Sequence, residues 1–440
     1  MSLSRNLPLA VCLSVVTTLC ASAQAHPDTR TPDKMPTQEE MKNPPKTWID
    51  KDTGHRVIRL TDEPGSASFY FNVNGYTPDG NEMVYTTPDS VGVLDLRTKK
   101  TRIILTGHVH TMEVGHKTPS LFFVKPEDNK VYKINIDSGE TKELASLPKD
   151  AHVVTINADE TLAAGTYDEV DRPNEEFGHN GGHAAPQDRA QTSPLEQAAN
   201  KGQMMERRLA AHIPLVLFTL DLTGSSKITP LLHSTDWVNH LLFSPSDPNL
   251  LMYCHEGPWQ KVDRIWTIHT DGSHNELMHK RTMFMEIAGH ELWGKDGDTV
   301  YYDLQTPKGE DFWLAALDLN TKQRTWYHMQ RNEWSIHFNV NKDKTLFAGD
   351  GGDPGQVAHA SDGEWINLFY PEPTRQSDGI NDNDFIQPRT FRSERLVNMS
   401  KHNYALEPNV SFTPDSKMVI FRSNMFGPTY VFGVEVEKAK

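Results

Sequence analysis

Cysteine is nearly absent from this 440-residue chain: Cys12, Cys20 and Cys254 are the three. The first two lie in an amino-terminal stretch that reads as a removable leader, so only Cys254 is left and no intramolecular disulfide is expected. A lone cysteine in a strand is expected to serve as a small buried apolar residue. Cations are also short, with 44 Lys and Arg against 59 Asp and Glu and a formal charge of −15. Arg5 is the one charged residue before position 26, so removing that stretch gives −16. Such a field argues against nucleic acid and against an anionic membrane surface. It also opposes any anionic substrate, which local cations or a bound metal must then recognise. Long apolar runs are missing too. The opening run is short and interrupted, and no other segment is long enough to span a bilayer. Phosphate-cradling glycine loops and redox motifs are absent.

What is present starts with that leader. Residues 1–25 have a basic start, an apolar run and Ala23-Gln24-Ala25, the pattern of a secretory signal peptide, which implies a periplasmic or secreted protein. Residues 26–45, rich in Pro, Thr, Lys and Glu, read as a flexible leader. Beyond them a unit recurs, in which a Pro/Asp/Gly-type turn precedes a short apolar strand. The copies are YTPDGNEMVYTT (76–87), HKTPSLFFV (116–124), NADETLAAGTY (157–167), FSPSDPNLLMYC (243–254), GKDGDTVYYD (294–303), NKDKTLFAGD (341–350) and FTPDSKMVIFRS (412–423). Spacings of roughly 40–50 residues predict an all-β fold, a seven-bladed β-propeller over 46–440, since each unit exposes an apolar face that a neighbour must cover. The segment 47–61 is expected to complete the last blade. Two insertions break the rhythm. One, at 168–212, carries Ser193-Pro194-Leu195-Glu196 and a predicted helix to about Leu209. The other, at 363–400, is polar and reads as irregular.

The densest chemistry lies between Tyr253 and Trp313, where histidines, carboxylates, an arginine and aromatics crowd short strands. Inner strands of a propeller line a central channel, so polar residues at strand starts converge there. The candidates are His240, His255, Glu256, Arg264, His290 and His337, with the late cluster His402, Tyr404, Glu407 and Asn409. His290, beside small Ala288 and Gly289, is read either as a proton acceptor or as a structural hydrogen-bonding residue. Arg264 is read as a fork for a carboxylate, or as one side of an ion pair with Asp263 or a neighbour. His240, His255 and Glu256 are taken as substrate-binding. Glu407 and Asn409 are two apart and face one way on a strand. With His337 they offer one imidazole, one carboxylate and one amide oxygen, a set suited to Mn²⁺ or Mg²⁺, or alternatively to hydrogen bonding between blades.

The segments CHEGPWQKVDRIWTIHTDG, GHELW, GDGGDP and SFTPD, with TWIDKDTGHRVIRLT and FNVNGYTPDG nearer the start, resemble the oligogalacturonate lyases, seven-bladed polysaccharide lyases that cleave galacturonate oligomers by metal-assisted β-elimination. The resemblance implies that His290 matches the proton-abstracting histidine, Arg264 the arginine near the scissile uronate, and His337 a metal-binding histidine. It also implies Mn²⁺ as cofactor and a uronate oligosaccharide as partner. The family's Gln-x-x-His-x-His ligand pattern is replaced here by Tyr404, Glu407 and Asn409, with His402 nearby as a substitute ligand. The competing expectation is a non-catalytic periplasmic binding module of the TolB type.

Overall fold

The computed structural model describes residues 30–170, 194–355, 360–372 and 385–440. The expected signal peptide at 1–25 lies outside the described residues, as do Ser193 and the middle of the 363–400 insertion.

The described part is all-β apart from a few helices. Four sheets are plain four-stranded antiparallel meanders, beginning at Ala67–Ser68, His110–Val114, His152–Ile156 and Trp237–Phe243. A fifth sheet has eight strands. Its first half runs Ile287–Trp293, Thr299–Gln305, Phe312–Asp318 and Arg324–His328, and its second half begins at Phe338–Val340. The halves join where Arg324–His328 pairs in parallel with the start of Ile386–Asn398, whose later residues run antiparallel to Trp365–Pro371. The region 363–400 is therefore not an irregular decoration. Its described residues supply two long strands, and in the second exposed Pro388, Thr390 and Arg392 alternate with half-buried Arg389, Phe391 and Ser393, as fits a sheet wet on one face. In the sixth sheet, Ser411–Phe412, Met418–Ser423 and Tyr430–Lys438 are completed by His55–Arg59 and Thr47–Ile49, as the sequence led one to expect of 47–61.

Each recurrent turn joins the first strand of a unit to its second, and in four of them a side chain at the first turn position closes it. Asn157 Oδ1 accepts from the Thr161 and Leu162 amides, and Asn341 Oδ1 from those of Thr345 and Leu346. Thr77 and Thr413 donate to Asp79 and Asp415 at 2.6 and 2.7 Å. The fourth turn residue takes a left-handed backbone, with φ of 73° at Gly80, 60° at Glu160 and 60° at Ser416.

Apolar clusters lie between consecutive sheets, each wetted on neither side. Val84 and Val93 meet Leu121 and Phe123, and Phe122 and Val131 meet Ala163 and Phe218. Leu217 meets Leu251 and Tyr253, and Ala348 and Leu368 meet Val419 and Phe421. Ile420 and Val431 of the last sheet pack on Met83 and Tyr85 of the first. First strands adjoin one another, as His152–Ile156 does with both His110–Val114 and Trp237–Phe243. The helix expected to end near Leu209 spans Pro194–Ala211. It is fixed by an ion pair of Glu206 with Lys261 at 2.8 Å and by Arg208, whose guanidinium lies 4.2 Å over Trp237. The leader expected to be flexible is held over its described part. A capped helix Gln38–Lys42 places Glu40 on Lys401, and Lys34 pairs with Glu364.

Buried polar bridges tie neighbouring sheets near the first strands. Asn339 donates to the Phe71 carbonyl at 2.9 Å and accepts from the Phe412 amide at 3.1 Å. Asn339→Ala leaves both groups unpaired, at about 1–3 kcal/mol each. We expect a lower urea midpoint with an unchanged slope, measured by fluorescence.

Candidate active site

Bulges on first strands create the site. Trp237–Phe243 slips register between Asn239 and Leu242, and Ile287–Trp293 slips between Gly289 and Leu292. The displaced residues include His240 and His290, with φ of 48° and 46°. Asn409, just before the strand Ser411–Phe412, has φ of 55°. Bulges re-aim side chains, and left-handed non-glycine residues are strained enough to need local support. Gly289 is required by close approach, since a Cβ there would sit 2.7 Å from the Trp259 ring.

Two clusters share this space. In the first, Arg264 donates to both oxygens of Glu256 at 3.0 and 3.3 Å and to Glu291 at 3.3 Å. His240 Nε2 lies 2.9 Å from Glu256. Burial alone would raise the Glu256 carboxyl, but the Arg264 charge and the His240 hydrogen bond hold it well below the usual carboxylate range. Cys254 is buried beside it, its thiol pushed up by burial, which agrees with an inert apolar role.

The second cluster centres on His337, which is fully buried. Its Nδ1 lies 2.9 Å from Asp350, whose other oxygen accepts the His337 amide at 2.7 Å. Its Nε2 faces the Tyr70 hydroxyl at 3.0 Å and Glu407 at 4.0 Å. The His290 ring meets it edge-on, 4.8 Å between centroids, and Phe71 stacks on its other side at 4.5 Å.

Trp259 and Tyr70 connect the clusters. The Arg264 guanidinium lies 4.7 Å from the indole of Trp259, and His290 meets the same indole edge-on at 5.0 Å. Burial raises the Tyr70 phenol well above its ordinary value, and the charges of Glu407, Glu291, Arg264 and Glu256 all act on it. Arg264 and His290 therefore do meet, through one ring. The fork itself is closed on Glu256 and Glu291 rather than open, and Asp263 instead pairs with Lys280 and Arg281.

Two expected site residues fall elsewhere. His402 is not available as a ligand. Ser423 Oγ and the Leu406 carbonyl engage its two ring nitrogens at 2.9 and 2.7 Å, and burial pushes its pKa down to about 3. Tyr404 packs on it edge-on and donates to the Asp350 carbonyl. His255 projects from its strand opposite to Glu256, because alternate residues face alternate ways, and lies between Tyr253 and Trp266. Conversely, Tyr70, Phe71, Trp259, Glu291 and Asp350 belong to the site without having been singled out. Asp350 stands in GDGGDP and Tyr70 directly before FNVNGYTPDG, both quoted above for their resemblance.

The donor set suits a divalent ion. Asp350 fixes Nδ1 of His337 and so presents Nε2, the arrangement usual for a ligating histidine. Glu407 is partly exposed at that nitrogen, and the amide oxygen of Asn409 is buried with no hydrogen-bond partner among the described residues. Five carboxylates, of Glu256, Glu291, Asp303, Asp350 and Glu407, stand around this region against the Arg264 guanidinium and the reach of Lys201. That balance attracts a cation.

The meeting of the first strands thus brings together two imidazoles, a buried guanidinium and a set of hard oxygen donors. A family model described as oligogalacturonate lyase matches residues 210–439, and the chain belongs to that family. It is 27% identical over 231 residues to an oligogalacturonide lyase of Pectobacterium atrosepticum, a match covering 50% of this chain and 55% of that protein. It is 23% identical over 413 residues to the oligogalacturonate lyase of Dickeya dadantii, covering 89% and 95%. In structure it is similar to an oligogalacturonate lyase in complex with manganese (TM-score 0.66, 21% identity, 89% of this chain and 96% of that one). It also resembles the oligogalacturonate lyase of Vibrio parahaemolyticus (0.67, 19%, with the same coverage). The binding-module expectation is not favoured.

His402 also sets a pH test. The folded chain refuses a proton that the unfolded chain takes up near 6.5, so the stability tied to it is present above that pH and is lost as pH falls toward 3. His402→Gln is expected to shrink the loss in melting temperature between pH 7 and pH 5 while leaving Mn²⁺ affinity unchanged.

Proposed function

We propose that this protein cleaves oligogalacturonides, or closely related uronate oligomers, by β-elimination with the help of a divalent cation, Mn²⁺ in the first instance. The carrying observation is the meeting of His290 and His337, 4.8 Å apart between ring centres, with Trp259 and Arg264 on one side and Tyr70 and Glu407 on the other. Family membership supports the same reading.

The C5 proton of a uronate lies α to its carboxylate, and removing it builds negative charge on the carboxylate oxygens. A divalent ion held by His337, Glu407 and Asn409 would supply positive charge for those oxygens. Arg264, committed to Glu256 and Glu291, adds its fixed charge nearby rather than an open fork. The Nδ1 atom of His290 is buried, so the other ring nitrogen is the one that takes the proton. The electron pair forms the C4–C5 double bond, the C4–O4 bond breaks, and the leaving oxygen is protonated from solvent.

The scaffold is read as a seven-bladed propeller over 46–440, the two halves of the eight-stranded sheet each counting as a blade. The closing contact of the last sheet with the first supports it. The composition of residues 1–25 supports export to the periplasm or beyond. No described helix is long and apolar enough to cross a membrane.

Incubation with di- and trigalacturonate, with and without Mn²⁺, is expected to produce the ultraviolet absorbance of a conjugated 4,5-unsaturated uronate, and a chelator to reduce it. No rise under any condition from a folded sample overturns the proposal. His290→Ala should lower kcat at least ~10²-fold, the usual range for a general base, with an unchanged circular dichroism spectrum. Glu407→Ala should weaken Mn²⁺ binding in equilibrium dialysis.

A further inference from the structure

Asp303 is the least explained group in the protein. It lies in the strand Thr299–Gln305, every residue of which is buried, and its own exposure is 1%. Neither of its carboxylate oxygens has a hydrogen-bond partner among the described residues. Its neighbours Tyr302 and Leu304 belong to an apolar cluster that needs no charge. A buried unpaired carboxylate destabilises a fold, so folding alone does not account for it.

One group faces it. His290 Nδ1 lies 3.5 Å from Asp303 Oδ2, and that nitrogen too is buried without a hydrogen bond. The strand register explains the meeting. Gly289 stands directly opposite Asp303, and opposed residues on an antiparallel pair share a face. With no side chain at 289, the Trp259 ring packs into the space opposite Asp303. The bulge after Gly289 swings the His290 ring toward it, and Trp259 closes over the glycine.

We propose that Asp303 is the positioning residue of the proton-accepting histidine. The inference rests on the reading of His290 as the base. Asp303 accepts from Nδ1–H, which fixes the tautomer and leaves the Nε2 lone pair toward the substrate. When Nε2 takes the C5 proton, both ring nitrogens carry hydrogen, and the Asp303 carboxylate balances the imidazolium charge where water does not reach. Carboxylate–imidazole pairs in catalytic sites are often long in the absence of substrate and shorten when it binds. The 3.5 Å separation is of that kind. Asp350 plays the matching part for His337, where the bond is already made at 2.9 Å. Two histidines in ring contact thus each have a buried carboxylate behind them, one serving the ligand set and the other the proton transfer.

The test is Asp303→Asn in the full chain, assayed on trigalacturonate with saturating Mn²⁺. An amide can donate to Nδ1 and hold the wrong tautomer, so kcat should fall at least about 10–100-fold, the range for the hydrogen-bond partner behind a functional histidine, and up to about 10⁴-fold where the tautomer is fully reversed. KM and Mn²⁺ affinity should stay within about twofold, and substrate deuterated at C5 should show a larger isotope effect on kcat than with the unaltered protein. Asp303→Ala is a second variant, in which added formate should restore part of kcat. A folded Asp303→Asn protein with unchanged kcat overturns the inference. So does a loss of kcat matched by an equal rise in KM and an equal loss of Mn²⁺ affinity, which marks a merely structural role. An active His290→Ala protein overturns the base reading beneath it, so the two failures are distinguishable.

Discussion

A single buried carboxylate, that of Asp350, organises this centre. It accepts from the His337 amide, from His337 Nδ1 and from the Asn409 amide, the last at 3.2 Å, while the Asp350 carbonyl accepts from Tyr404. Those bonds fasten the end of the strand Phe347–Gly349 to the start of its partner Phe338–Val340 and to the approach of Ser411–Phe412. They also satisfy an anion in a place without water, which is the condition under which such a group is tolerated. His337 can then hold one orientation between Phe71 and His290. Every feature proposed for the reaction depends on that orientation, because the second imidazole is packed directly against the first.

Strain is distributed around this hub in a repeated way. His240, His290 and Asn409 hold left-handed backbones at or near first strands, where sheet pairing on either side fixes them. A flat strand would send these side chains into the apolar layers between sheets. The bulge sends them to the shared space instead, and the rigid sheets bear the conformational cost. Acidic groups outnumber cations there, so the site is poorly suited to a sugar acid by itself and well suited to one that arrives with a metal ion.

The sequence was most legible where periodicity dominates. The recurrent turns marked strand pairs correctly, and 47–61 was placed in the last sheet because an orphaned apolar strand at one end must find a partner. The region 363–400 was misjudged for a physical reason: a strand with one wet face, such as Ile386–Asn398, carries so many charges that it looks like a loop. At the site, His290, Arg264, His337, Glu407 and Asn409 were legible as residue types at strand starts. His402 was not separable from them, since only the fold reveals that its ring donates to the Leu406 backbone carbonyl and meets Ser423, whereas the Nε2 of His337 faces Tyr70 and Glu407. His255 and Glu256 are adjacent in sequence, yet alternation sends them to opposite faces. Asp350 and Asp303 were invisible as partners because one lies just past the strand Phe347–Gly349 and the other within Thr299–Gln305, and the pairing of those strands decides what each meets.

The sixth sheet joins residues 47–59 to 430–438, nearly four hundred positions apart. During synthesis the earliest strands emerge long before their mate exists. Completion of this sheet must therefore be a late event, coming after the last of these strands has left the ribosome. Until then the flanks of the first sheet, Met83 and Tyr85 among them, stay uncovered and offer chaperones a grip. Assembly of such a molecule is consequently governed by how long that gap stays open.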